Sequence, residues 1–77
     1  RPVPLTAHEF DIAALLAARP AKVFTRQEIY EQVWHQDYFV EDKTINVHIS
    51  NLRAKLRAAG ADEGIETVWG IGFKLKA

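Results

Sequence analysis

The chain has 77 residues and no cysteine, a length that holds one small domain and a composition that excludes a disulfide scaffold or thiolate metal site and predicts a reducing, cytoplasmic setting. No apolar run approaches the roughly 20 residues of a membrane span, and the N-terminal "RPVPLT" lacks the apolar core of a signal peptide. Ten basic residues balance ten acidic ones, but unevenly: residues 1–42 hold four basic and seven acidic residues, residues 43–77 six and three, so the halves carry −3 and +3. Such an asymmetry suits a protein with one surface for a polyanion and another for something else.

The chain begins at Arg1 rather than Met, which predicts a piece of a larger protein. "RPVPL", with two prolines, reads as an edge strand or extended lead-in. Thr6 then precedes Glu9 by three residues, the spacing of a capping box, and an apolar-rich run follows. A first helix is expected over Ala7–Ala18. Phe10, Ile12, Ala14, Leu15 and Leu16 place apolar groups almost all round it, which predicts burial on several sides. Arg19-Pro20 stops it, because the residue before proline avoids the helical region. "KVF" is short and β-prone. Thr25 and Glu28 repeat the capping box and open a second helix over Arg26–Trp34, with Ile29, Tyr30 and Val33 as its inner stripe. "HQDYFVED" has no period and reads as a loop.

A third, longest helix is expected from about Asp42, whose carboxylate suits a helix N-terminus, to Ala59, with Gly60 as its C-cap. Within it "KTINVHISNLRAKL" has no acidic residue, and Ile45, Ile49, Leu52 and Leu56 form one apolar stripe at i, i+4, i+7 and i+11. Lys43, Val47 and Ala54 point directly away from that stripe, Ser50 and Asn51 flank them, and Thr44 and Asn46 lie at the shoulders. An ordinary solvent face would carry Glu–Lys pairs. Here an exposed Val47 gains nothing from water but would gain a dry contact against a thymine methyl, Asn46 and Asn51 offer the donor–acceptor pair that matches adenine N6 and N7, and Ala54 permits close approach. Asparagine is a poor helix former, so two of them in mid-helix without a role would be locally costly. Arg53, Lys55 and Arg57 supply charge for phosphates; for Lys55 and Arg57, complementing the helix dipole is an equal alternative. After "GADEG", the segment "IETVWGIGFKLKA" reads as a β-hairpin, a wing over Ile65–Lys76, joined through Gly70-Ile71-Gly72 with positive φ expected at the glycines.

The order helix, helix, loop, helix, hairpin is mainly α within an α+β class. It predicts a winged helix-turn-helix, a three-helix bundle with a C-terminal wing. Catalysis has no support: there is no serine elbow, acid pair in an evident pocket or cysteine nucleophile. Gly70-Ile71-Gly72 lacks the third glycine of a nucleotide loop and leads into a strand. His8, His35 and His48 show no ligand spacing, so neither metal nor cofactor is expected. A histidine at the edge of the apolar stripe, as His48 is, is packed and hydrogen-bonded more often than it is a ligand.

In three ordered blocks, "LTAHEFDIAALLAARPAKVFTRQEIYEQVW", "DKTINVHISNLRAKL" and "IETVWGIGFKL", the chain resembles the C-terminal DNA-binding domain of OmpR/PhoB-type response regulators. "TVWGIGFK" and "VHISNLR" are most similar to the vancomycin-resistance regulators of that family. The resemblance implies a bacterial transcription factor of a two-component system. Residues 1–77 would be its winged-helix effector domain, with the receiver domain absent and only "RPVPL" left of an N-terminal sheet. It implies base contacts for Thr44, Asn46, Val47, Ser50 and Asn51. It carries backbone contact onto Arg26, Trp34, His48 and Arg53, to which position and charge add Lys43 and Lys55. Arginine is common in the family where this chain has Ser50, Asn51 and, at the wing tip, Trp69. Less reliance on guanine follows, and Trp69 with Gly70 would meet the DNA backbone by stacking or an N–H bond, or else Trp69 covers the hairpin. The implied partners are promoter or operator double-stranded DNA, RNA polymerase through the loop His35–Glu41, a sensor kinase acting only through the absent receiver domain, and a second copy of the domain on DNA. The competing reading is a protein-binding winged helix without DNA binding.

Overall fold

The structure, a computed structural model, describes residues 4–37, 43–60 and 64–75. Helix α1 spans Ala7–Ala18, strand β1 Phe24–Thr25, α2 Arg26–Trp34, α3 Thr44–Ala58, β2 Ile65–Val68 and β3 Gly72–Leu75. Both capping boxes form. Thr6 Oγ1 accepts from the Glu9 N–H and the Thr6 N–H donates back to Glu9 Oε1 at 2.9 Å; Thr25 and Glu28 do the same, again with 2.9 Å for the return bond. Two orphan donors are thereby satisfied at each helix start, which is why these two helices begin where the sequence puts them.

The ends of α3 differ from expectation. It starts at Thr44, with Lys43 before it and no side-chain cap; Asp42 lies outside the described residues. It closes at Ala59, and Gly60 is the next residue, in the left-handed region at φ 86°, where a side chain would be strained. The helix is held by tertiary burial rather than by its cap: Ile45, Ile49 and Leu52 are almost fully buried, each contributing roughly 1.5–3 kcal/mol.

These residues join Ile12, Leu16, Phe24, Ile29, Val33, Ile65 and Phe73 in a single core. The reading of α1 needs correction. It buries one face only, through Glu9, Ile12 and Leu16, while Phe10 is 61% exposed and Ala14 is exposed. An even spread of apolar residues does not say which side meets α2, α3 and β3. The buried stripe here includes a carboxylate that hydropathy would place outside.

The hairpin is real but tighter than expected, and it is part of a sheet of order β1-β3-β2. Lys76 lies outside the described residues, and Pro4–Thr6 form no strand. Thr67 faces Phe73 and Glu66 faces Lys74 across β2 and β3, while Phe24 and Thr25 pair with Phe73 and Gly72. Only Gly70 takes the positive φ, 79°, in a turn closed by the Ile71 N–H donating to the Val68 carbonyl at 3.0 Å. Gly72 is needed for a different reason. A Cβ there would stand 2.0 Å from the Phe24 carbonyl oxygen, so only glycine lets β3 lie against β1. The strand that anchors the wing to the bundle is thus Phe24–Thr25, which only the last residue of "KVF" enters.

Candidate nucleic-acid interface

Helix α3 presents Lys43, Asn46, Val47, Ser50, Asn51 and Ala54 as exposed residues, and Val47 is 55% exposed. The stripe facing the core and the face turned outward are therefore those the spacing assigned. Thr44, His48 and Arg53 are half-buried at the sides. At the wing tip Trp69 is 88% exposed, beside the exposed Gly70 and Ile71; it does not cover the hairpin.

Between α3 and the wing runs an open cleft of about 510 Å³, lined by Arg26, Asn46, Arg53, Arg57, Thr67 and Trp69 among others. The order of its cations follows from the fold. Arg26 is the first residue of α2, and its guanidinium lies 5.2 Å from the Phe73 ring centroid. Its Nε donates to Asn46 Oδ1 at 2.9 Å. Arg53 donates from Nε to the Ile65 carbonyl at 3.2 Å and from Nη2 to Thr67 Oγ1 at 2.5 Å, with Phe73 at 6.0 Å. Phe73 is thus flanked by two guanidiniums whose partners are neutral, so the cleft keeps its positive charge.

The opposite side of α3 is arranged differently. His48 Nδ1 lies 2.9 Å from the Thr44 carbonyl oxygen. That oxygen only accepts, so Nδ1 carries the proton and Nε2 is the ring's other polar atom. The His48 ring meets Trp34 edge-on at 5.1 Å, Trp34 stacks on Tyr30 at 4.9 Å, and His8 joins both at 4.3 Å from Trp34 and 5.7 Å from His48. Farther along, Lys55 Nζ is 2.6 Å from Glu9 Oε1. Burial pushes the Glu9 carboxyl up, but the Lys55 ammonium and the Thr6 N–H bound to it outweigh this and hold it below the ordinary value of 4.5. Every buried side-chain nitrogen or oxygen among the described residues has a partner.

The structure therefore gathers Arg26, Asn46, Arg53 and Trp69 around the wing cleft, with Gly70 next to Trp69 at the wing tip, and Trp34, His48 and Lys55 on the α1 side. Sequence reasoning missed the Arg26–Asn46 bond, the Glu9–Lys55 pair and the place of His8. Thr6-to-Glu9 spacing signals the cap, but nothing local signals a lysine 46 residues away. Among the described residues no group of three His, Cys, Asp or Glu is arranged to hold a metal, and no helix is long and apolar enough to cross a membrane.

A three-helix bundle whose last helix turns an acid-free face outward, beside an arginine-lined cleft and a β-wing, defines a winged helix-turn-helix of the DNA-binding class. The chain belongs to the family described as "Transcriptional regulatory protein, C terminal", whose profile it matches over residues 1–75; these are the DNA-binding output domains of OmpR/PhoB-type response regulators and not enzymes. It is 43% identical over 75 residues to the uncharacterized transcriptional regulatory protein YcbL of Bacillus subtilis, covering 96% of this chain and 33% of that protein. It is 44% identical over 68 residues to the heme response regulator HssR of Staphylococcus aureus, covering 88% and 30%. The chain thus spans about a third of the length of these curated relatives. Among solved structures it is similar to the DNA-binding domain of the response regulator AdeR in complex with an intercistronic region, with TM-score 0.85, 32% identity, and 97% and 74% of the two chains covered. It is also similar to the Klebsiella pneumoniae RstA DNA-binding domain in complex with the RstA box, with TM-score 0.82, 28% identity, and 95% and 73% covered.

Proposed function

We propose that α3 enters the major groove of an operator, with Thr44, Asn46, Val47, Ser50 and Asn51 toward the bases. Lys43, Arg26, Arg53, Trp34 and His48 hold the phosphates on either side. Trp69 and Gly70 bring the wing against the backbone or minor groove. The observation that carries this reading is the outward face of α3, which combines an exposed valine and two asparagines with no acid and opens onto an arginine-lined cleft. Water rewards none of that; a groove floor with methyls and base edges does. Lys55, whose ammonium neutralises Glu9, contributes to binding by holding α1 against α3.

In this reading the chain is the effector part of a longer cytoplasmic regulator whose receiver domain takes a phosphoryl group from a sensor kinase, and two copies pair on DNA. The loop from His35 to Glu41 is proposed to meet RNA polymerase; its residues 38–41, Tyr38 and Phe39 among them, lie outside the described residues. The test is selection of duplexes by the chain from a random DNA pool, followed by titration at several salt concentrations. Enrichment of one motif is expected, with log affinity falling linearly against log salt at a slope of about −0.9 per phosphate neutralised. No enrichment, with affinity indifferent to salt, would overturn the reading in favour of a protein-docking winged helix.

A further inference from the structure

We infer that Arg26 sets what Asn46 reads, turning an amide suited to adenine into one that selects a base edge made only of acceptors. The inference rests on the proposed placement of α3 in the major groove. A free asparagine carboxamide matches adenine because its nitrogen donates to N7 while its oxygen accepts from the N6 amino group. In this chain that oxygen is already engaged: Arg26 Nε donates to Asn46 Oδ1 at 2.9 Å. The assignment of the two amide atoms is fixed by chemistry, since a guanidinium has five N–H donors and no acceptor, so the atom facing it is the oxygen.

Two consequences follow. The Asn46 Nδ2 group, with its two N–H donors, is left as the end of the side chain available to a base. A cation now stands beside the oxygen, so a second donor such as the adenine amino group meets positive charge there, even at the oxygen's remaining lone pair. Guanine, which presents N7 and O6 as adjacent acceptors, gains from both effects; thymine, with O4 alone, gains less. Asn46 is the third residue of α3 and is exposed, and the first turns of a recognition helix are where base edges are met.

Arg26 is in turn supported by the fold. It starts α2, its guanidinium lies on the Phe73 ring at 5.2 Å, and Phe73 is 3% exposed in β3. Arg26 lines the same cleft as Arg53 and Arg57, so a phosphate bound to its guanidinium there would hold it in the position that orients Asn46. Arg26 is thus a positioning residue for base choice, acting through Asn46.

The experiment uses the chain, the duplex selected from the random pool and all single-base changes of it, titrated with the unaltered protein, Asn46→Ala, Asn51→Ala and Arg26→Met. Methionine keeps an apolar stem over Phe73 without a donor or charge. Thermal unfolding of each variant confirms that it is folded. Asn46→Ala should flatten preference at one base pair, and the unaltered chain should favour guanine there. Arg26→Met should weaken all duplexes and, at that pair alone, shift the guanine-to-adenine ratio toward adenine by about tenfold. If Asn46→Ala flattens the pair but Arg26→Met only scales every duplex down, the inference fails and the groove placement stands. If Asn46→Ala leaves all preferences intact while Asn51→Ala does not, the inference also fails and base reading belongs to the rest of the helix. If no variant of α3 alters any preference, the groove placement itself is wrong.

Discussion

Along one flank of α3, Thr44, His48, Asn51 and Lys55 follow one another at i, i+4, i+7 and i+11; along the other, Asn46, Ser50, Arg53 and Arg57 repeat the same spacing. Each flank holds an asparagine, a hydroxyl and at least one cationic side chain, and a helical wheel gives them similar weight. Their surroundings separate them. On the wing flank, the Arg26 and Arg53 guanidiniums meet an amide, a carbonyl, a hydroxyl and an aromatic ring, all neutral, so the charge survives packing. On the α1 flank, Lys55 meets the buried carboxylate of Glu9, and His48 meets a carbonyl and rings. One flank keeps its positive charge; the other ties α3 to α1 through the Lys55–Glu9 pair. Helical position alone does not say which cation faces DNA.

The largest effect should come from removing the support of the wing flank. Gly72→Ala puts a methyl against the Phe24 carbonyl at 2.0 Å. Both atoms belong to paired strands, so neither side chain motion nor rotamer change relieves the clash. A loss of about 3 kcal/mol is expected in denaturant unfolding, with weaker binding to every duplex because the wing no longer seats on β1. Unchanged stability would mean that β1 and β3 separate at little cost and that Arg53 is not held by the sheet.

The flanks are compared most directly through one cation from each. Lys55→Met should cost about 2 kcal/mol of stability, since it leaves the Glu9 carboxylate buried without its ammonium, and should leave the salt slope of DNA binding as it was. Arg53→Ala should weaken all sequences alike and reduce that slope by about one unit. If Lys55→Met lowers the slope as much as Arg53→Ala does, the two flanks are electrostatically equivalent and the distinction fails.

Acid gives a second handle on the α1 flank. The Glu9 pKa is lowered in the folded state relative to 4.5, so its contribution is fully present above the unfolded value and is lost as pH falls through the folded one. Glu28, held down by the Thr25 N–H against its burial, with help from Lys22, adds in the same direction, but its side chain is 42% exposed and its share is smaller. Equilibrium unfolding followed across the acid range should show stability falling below about pH 4.5, and Glu9→Gln should lower stability at neutral pH while flattening that fall. An acid limb unchanged by the substitution would assign it to other carboxylates.

Much of this was legible in the sequence. Two Thr–Glu capping boxes located α1 and α2 to the residue, because a cap is a local chemical signal. The stripe of Ile45, Ile49 and Leu52 oriented α3, because helical period is local too. What escaped was non-local. Glu9 reads as a cap and turns out to be a buried counter-ion as well; Gly72 reads as a turn residue and is a contact residue; "KVF" reads as a short β-prone piece, and its Phe24 begins the strand that anchors the wing. In each case the deciding partner is distant in the chain: Lys55 for Glu9, Phe24 for Gly72, Phe73 for Phe24. The site followed the same pattern, with the outward face of α3 readable from spacing and the arginine bonds that shape it not.

A substitution of intermediate size tests whether the α1 flank also reads bases. Asn51 is exposed, and among the described residues no hydrogen bond occupies its amide oxygen in the way that Arg26 occupies that of Asn46. It therefore retains the donor–acceptor pair for adenine. Asn51→Ala should cost on the order of 1–2 kcal/mol on the selected duplex and relax preference at one base pair, with stability nearly unchanged. If affinity falls uniformly over the single-base panel, Asn51 contacts the backbone and base reading is confined to the wing side of the helix.

The smallest effect should lie at the tip of the wing. Trp69 is 88% exposed beside Gly70, so the fold gains almost nothing from it, and Trp69→Ala should leave unfolding within about 0.5 kcal/mol of the original. An indole has one donor and a flat apolar face. It can stack on a sugar or donate to a phosphate, but it cannot match a pattern of donors and acceptors on a base edge. The substitution should therefore lower affinity by about 0.5–1 kcal/mol, similarly for the selected duplex and its single-base variants. The salt slope should stay the same, because no charge is removed. That combination, a uniform loss without a change in slope, separates Trp69 from Arg53 across the cleft and from Asn51 on the opposite flank. A loss confined to one base position would show that the wing reads sequence, and no loss at all would place the wing tip away from DNA.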